Sequence, residues 1–270
     1  MTFSIVARST DGESWGVAVA SKFLAVGAVV PAAVAQVGAI ATQADANVAY
    51  KGLALAHLDD GATASVALQR LLEEDDKRDE RQVGIVDSEG GAASHTGHGC
   101  LDWAGGVTGP GFAAQGNILA GPQVVDALAR SWTGSDEADF ARRLVSALLA
   151  ADRAGGDRRG RQSAALLVVR EGAGYGFDDV AVDLRIDDHP DPVPELTRLL
   201  GIHELLHRPP PEEDRWPLTR GLRAELEELA RVRGAQDLDA WIGAENYEMR
   251  VTEDYVDRRV VEMLRGGSPT

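Results

Sequence analysis

Residues 2–8 alternate in the manner of a strand, Asp11-Gly12 supplies turn chemistry, and residues 15–20 form a second run, so the chain opens on a predicted hairpin. Two short runs of small and branched residues follow at 32–37 and 38–43. From Asn47 the apolar period lengthens. Leu53, Leu55 and Leu58, then Val66, Leu68, Leu71 and Leu72, suit two helices divided at Asp60-Gly61. Strand patterns return at 82–87, 92–96 and 112–115, helix patterns at 123–131 and 137–153, and strand patterns again at 163–170 and 180–187. Helices that come in pairs between groups of strands argue against a doubly wound parallel sheet, where they alternate singly. The predicted class is α+β: two mainly antiparallel sheets held between layers of helices.

Residues 191–207 read as a further helix, with Asp191 as its cap and Pro192 in its first turn. Arg208-Pro209-Pro210-Pro211-Glu212-Glu213-Asp214 is a stiff polar linker. Beyond it Leu218, Leu222, Leu226 and Leu229 recur at helical spacing, and Val256, Val260 and Leu264 mark another helix. The expected division is a main domain over 1–207 and a Pro-rich linker with a small helical module over 208–270. The module offers little material for a core of its own and is expected to dock on the main domain.

Composition narrows the role. Lys plus Arg total 27 against 43 Asp plus Glu, and the resulting charge of −16 repels phosphate backbones, so no nucleic-acid partner is expected. No apolar run approaches the ~20 residues of a spanning helix, so no membrane partner is expected either. The first residues lack the charged and apolar regions of a secretion signal, which makes the cytoplasm the expected location. A single cysteine, Cys100, excludes an internal disulfide and a Cys-based zinc cluster. Residues 183–191 are rich in oxygen ligands, but alternation sets Arg185 between Asp183 and Asp187 on one strand face. A salt-bridged strand end is expected there, with no metal and no cofactor.

The segments 1–7, 16–31, 38–43, 81–87, 115–121, 155–167 and 183–192 include Gln115-Gly116-Asn117 and Gly155-Gly156-Asp157-Arg158-Arg159-Gly160. Together they resemble the bacterial Ntn-hydrolase-like family known as domain of unknown function 1028. In the tail, Trp241-Ile242-Gly243 and Glu245-Asn246-Tyr247 are similar to a peptidoglycan-binding-like domain often attached to that family. The main resemblance covers the first 200 residues in matching order. It implies the four-layer αββα sandwich of Ntn hydrolases, and it implies no settled substrate.

In such a fold the reactive group is Thr2 once Met1 is removed. A hydroxyl needs a base to take its proton, and an N-terminal threonine carries one, because its α-amine, with a pKa of about 8, is partly neutral near neutral pH. The competing reading is that Thr2 merely opens an edge strand. Four further places are brought to that terminus by the implied topology. Ser21 or Lys22, at the end of the second strand, would tune the amine or bind substrate, or be a solvated strand end. The backbone at Thr42-Gln43 would hold an oxyanion, or serve only as a connection. Gln115 and Asn117 would bind an amide or donate to a tetrahedral oxygen, unless Asn117 only caps the next helix. Asp157 would orient the α-amine as the third group of a triad does, and Arg158 or Arg159 would fork a substrate carboxylate. A structural Asp–Arg pair in a tight turn competes with both roles. Ser163, just after this turn, joins the substrate-binding candidates.

Two readings from different classes follow. In one, the chain is an amidohydrolase in which Thr2 attacks a small amide or amide-like carbonyl and forms an ester that water cleaves. In the other, it is a non-catalytic ligand-binding or scaffold protein on the same fold, with a retained Met1 as its mark. The candidate partners are the amide-like substrate, a second copy of the chain in a homodimer, and a cell-wall peptide fragment met through the tail.

Overall fold

In a computed structural model that describes residues 2–266, the opening hairpin forms as β1 (Thr2–Arg8) and β2 (Trp15–Ser21), with Phe3 opposite Ala20 and Arg8 opposite Trp15. A four-residue helix, α1 (Val26–Val29), leads to β3 (Pro31–Val34) and β4 (Gly38–Ala44). The expected run to residue 37 stops at Val34 because Val37 N–H bonds Val34 O and Gln36 adopts φ 63°, closing a turn. Then come α2 (Tyr50–Asp59), α3 (Ala64–Glu73), β5 (Arg81–Asp87), β6 (Ala92–Thr96), β7 (Gly105–Gly109) and β8 (Phe112–Asn117). After α4 (Gln123–Thr133) and α5 (Phe140–Arg153), the unit closes with β9 (Ser163–Val169), β10 (Val180–Ile186) and α6 (Pro192–His207). Helices α3 and α5 start where short polar side chains satisfy free N–H groups: Thr63 accepts from Val66 N and Asp139 from Arg142 N.

The strands from β1 to β10 form two sheets, one in the order β10-β9-β2-β1-β8-β7 and one in the order β3-β4-β5-β6, with each pairing antiparallel. β1 and β8 of the first sheet face β4 and β5 of the second. Helices α4 and α5 pack on the first sheet, α2 and α3 on the second. Strands covered on both faces cannot show a clean apolar–polar alternation, and β2 and β5 are buried throughout. Val6, Val17 and Val19 meet Ala39, Ala41 and Val86 in one apolar cluster, while Ile40, Val83 and Ile85 lie against Tyr50, Leu58, Leu68 and Leu71 in another.

The chain divides into two compact units between Leu199 and Leu200, inside α6. The second contains β11 (Arg215–Pro217), α7 (Arg220–Val232), α8 (Leu238–Glu245), β12 (Tyr255–Asp257) and α9 (Arg258–Leu264). It does assemble a core: Leu226, Leu238, Trp241, Ile242, Val256, Val260 and Leu264 are buried together. Arg250 is buried beside Asp257 at 3.0 Å and donates to the carbonyls of Glu204 and Leu205, in the last turn of α6 where helix acceptors run out of partners. Among the described residues, no helix is long and apolar enough to cross a membrane.

One charged cluster ties the second sheet to its helices. Asp75 accepts from Arg81 Nε (2.8 Å), Tyr50 Oη (2.8 Å) and Lys77 N (2.8 Å). The Arg81 guanidinium, with Tyr50 and the Lys77 N–H, holds the Asp75 carboxyl well below the usual carboxylate range, and burial pushes the Tyr50 hydroxyl up. A depressed carboxyl contributes stability in full above its unfolded pKa and loses it as pH falls toward the folded value. Urea unfolding should therefore show wild-type stability declining as pH drops below about 4. Asp75→Asn should be less stable near neutrality and show a flatter acid limb; parallel pH profiles would sink this assignment.

Candidate functional site

The layer between the two sheets changes character along its length. Inward positions run Val6, Ser4, Thr2 on β1; Val17, Val19, Ser21 on β2; and Ala39, Ala41, Gln43 on β4. They run Val86, Gly84, Gln82 on β5, Ala113, Gln115, Asn117 on β8, and Val169, Leu167, Ala165, Ser163 on β9. Six strands thus turn from apolar to polar toward the same end. Because side chains alternate with period two, the pairings Thr2↔Asn117 and Ser21↔Ser163 force this coincidence once register is fixed.

At the polar end the side chains bond to one another. Ser4 Oγ donates to Gln43 Oε1 (2.7 Å), and Gln43 Nε2 donates to Gln82 Oε1 (2.8 Å) and to the Thr2 carbonyl (3.3 Å). Asn117 Nδ2 donates to the same Gln82 Oε1 (2.9 Å), and Gln115 Nε2 donates to Ser4 Oγ (2.7 Å). Gln82 Nε2 in turn donates to Thr96 Oγ1 (2.9 Å) and to the Gly116 carbonyl (2.8 Å). At the end of this network Thr2 Oγ1 and Ser21 Oγ lie 3.2 Å apart, both residues buried.

A strap from the α5–β9 turn closes the end of β2. Asp157 is buried and accepts from Lys22 N (2.7 Å) and Arg159 N (2.8 Å). Arg159 returns to Asp157 (3.4 Å) and to the Lys22 carbonyl (3.0 Å). Leu119 and Asp157 form an isolated bridge, and the Arg158 N–H meets the Ile118 carbonyl at 3.4 Å. Three non-glycine residues at or shortly after the polar strand ends take left-handed φ: Ala25 at 53°, Ala44 at 70° and Ile118 at 49°. For a β-branched residue such as Ile118 that conformation costs energy, and strain of this kind gathers where structure serves a site.

Of the residues singled out from sequence, Thr2, Ser21, Gln43 and Asn117 come together at one point. Lys22 and Asp157 meet beside them. Asp157 gives its oxygens to backbone N–H groups, and among the described residues no hydrogen bond joins it to Thr2. Gln115 lies deeper, bonded to Ser4. Thr42 takes the face opposite to Gln43, its hydroxyl donating to Asn47 O at 3.3 Å. Ser163 holds the loop after β2, donating to Phe23 O and accepting from Val26 N. Arg158 and Arg159 are exposed on the strap. Met1, whose removal the sequence leads one to expect, lies outside the described residues. Ser4, Gln82 and Thr96 were missed by sequence reasoning; the available signal was a polar residue at an inward position of an otherwise apolar strand.

Other chemistry is taken up elsewhere. Arg185 forks Asp183 at 2.9 and 2.8 Å, the ion pair expected on that strand. Among the described residues no group of three or more His, Cys, Asp or Glu is arranged to hold a metal ion. Cys100 is half-buried and its thiol is pushed up by that burial, which keeps it protonated and a poor nucleophile.

A family model described as a family of unknown function, DUF1028, matches residues 2–196. The chain belongs to that family. A crystal structure of a protein from Silicibacter pomeroyi, described under the DUF1028 family model, is similar to this chain with a TM-score of 0.69 and 34% identity, over 75% of this chain and 86% of that one. Comparison with curated proteins returns no match. The DUF1028 match ends at residue 196, before the second unit begins at Leu200, so it covers every residue of the Thr2 site.

The network makes one position testable by size alone. A Cβ at Gly84 would fall 2.2 Å from Gln115 Oε1, a buried atom that has no hydrogen-bond partner among the described residues. Gly84→Ala should destabilise the protein by about 1–3 kcal/mol through overpacking. Gln115→Ala vacates the same space, so the double variant should cost less than the sum of the two single changes. Additive costs in denaturant unfolding would refute the packing account.

Proposed function

We propose that the chain is an N-terminal-nucleophile amidohydrolase on a four-layer αββα sandwich, with Thr2 as nucleophile after removal of Met1 and a small amide or amide-like compound as substrate. The observation that carries this reading is the 3.2 Å approach of Thr2 Oγ1 and Ser21 Oγ at the polar end of an otherwise apolar layer. Helices packed on both facing sheets support the sandwich. In the cycle the α-amine of Thr2, directly or through the Ser21 hydroxyl, takes the Oγ1 proton as the oxygen attacks the carbonyl carbon. Asn117 gives one amide hydrogen to Gln82; the other, unbonded among the described residues, is the candidate donor to the tetrahedral oxygen. The proton passes to the leaving nitrogen as the C–N bond breaks, and an ester on Thr2 remains. Water then gives its proton to the same amine as it attacks, and the amine returns that proton to Oγ1 as the ester opens.

Asp157 acts in this scheme as a positioning residue, holding Lys22 and the strap against the end of β2. The tail's resemblance to a peptidoglycan-binding-like domain would give the second unit a cell-wall peptide fragment as ligand. Trp241, Ile242 and Tyr247, which carry that resemblance, are buried in the unit's own core, so they support a shared fold more than a shared ligand.

Intact mass after treatment with a β-lactone tests the central claim. A protein lacking Met1 should take a single adduct at Thr2, Thr2→Ala should take none, and Ser21→Ala should label more slowly, by up to about a hundredfold. Retained Met1, or a free Thr2 that never labels, would favour the non-catalytic ligand-binding reading instead.

A further inference from the structure

Two exposed cations stand at the strand ends that carry Ser21 and Asn117. Lys22 directly follows Ser21, and its N–H is fixed by Asp157 while its side chain is exposed. Arg158 is fixed through its N–H to Ile118, one residue past the Asn117 that pairs with Thr2, and its side chain is exposed as well. Neither side chain makes a hydrogen bond or ion pair among the described residues. Arg159, next to Arg158 in the strap, is bound to Asp157 and the Lys22 carbonyl. Asp157 is buried, with both oxygens receiving backbone N–H groups. Next to Lys22, Phe23 and Leu24 are 50% and 59% exposed.

In a chain of net charge −16, two exposed cations brought to one strand end stand out against the sign of the whole. An anion would satisfy either charge, and a carboxylate matches both: a planar fork for the guanidinium and a point charge for the ammonium. We propose that the amide cleaved at Thr2 carries a free carboxylate, held by Lys22 and Arg158, with an apolar group resting on Phe23 and Leu24. That is the chemistry of an N-acylated amino acid. The proposal rests on Thr2 being the nucleophile and adds what the substrate must bear.

The test compares two β-lactones of matched size, one with a carboxylate and one with its methyl ester, as labels of Thr2 in the full chain lacking Met1. The overall field would slow an anionic reagent, so faster labelling by the carboxylate form is a discriminating result. It should be favoured by about tenfold at low salt, and the advantage should shrink as salt is raised. In Lys22→Gln, in Arg158→Gln and most in the double variant, the ratio of the two rates should fall toward one, with thermal unfolding checked to confirm the fold. Equal labelling by both reagents in the wild type overturns carboxylate recognition and leaves the Thr2 nucleophile standing. A ratio unmoved in the double variant overturns the assignment to Lys22 and Arg158, and labelling by neither reagent overturns both proposals.

Discussion

The polar end of the inter-sheet layer depends on Gln82. Its side-chain oxygen accepts from Gln43 and Asn117, which lie on different sheets, and its nitrogen reaches the Gly116 carbonyl across the layer. A primary amide is suited to this place because one planar group offers both donors and acceptors and carries no charge. An ion pair there would face a desolvation cost of several kcal/mol per ion. Apolar residues would instead leave the Thr2 and Gly116 carbonyls without side-chain donors. Each amide bond adds only about 0.5–1.5 kcal/mol net, but leaving a buried partner unsatisfied costs about 1–3 kcal/mol. The network is thus worth more as a constraint on geometry than as a source of stability.

That constraint reaches Thr2 from both sides. Gln43 holds its carbonyl from the facing sheet, and Ser21 meets its hydroxyl from the adjacent strand. The valines and alanines at the other end of the layer keep the sheets close enough for these contacts, with Val6, Val19, Ala41 and Val86 packed together. The strap then fixes the exit of β2 through two N–H bonds to Asp157, which sets where Lys22 stands. Apolar packing, sheet register and the site are therefore successive consequences of one alternation along each strand.

The main elements were legible because their periods are long and bounded by clear turn residues. β1 and β6 fall at the expected residues, and the paired helices on either side of Asp60-Gly61 and Gly134 reflect real changes of period. β7 was not legible: Gly105, Gly106 and Gly109 carry no side chain to alternate, and the strand exists through its backbone pairing with β8. α8 was missed because its eight residues are too few to display a helical period. For the site, the chain positions of Thr2, Ser21 and Asn117 were legible, but the role of Gln82 was not, since a glutamine in a strand reads as a solvent-facing position until the facing sheet is known. The opposite faces of Thr42 and Gln43 likewise follow from register, which no local motif specifies.

The neutrality of the Gln82 network has a kinetic consequence. Hydroxyls and carboxamides keep one protonation state throughout the range in which proteins stay folded. The cradle around Thr2 therefore holds its shape as acidity changes, and the side chains bonded directly within it add no titration of their own to a rate profile. If Thr2 is the nucleophile, the ionisation that starts turnover belongs mainly to an amine that does not exist until the residue before it has been cut away.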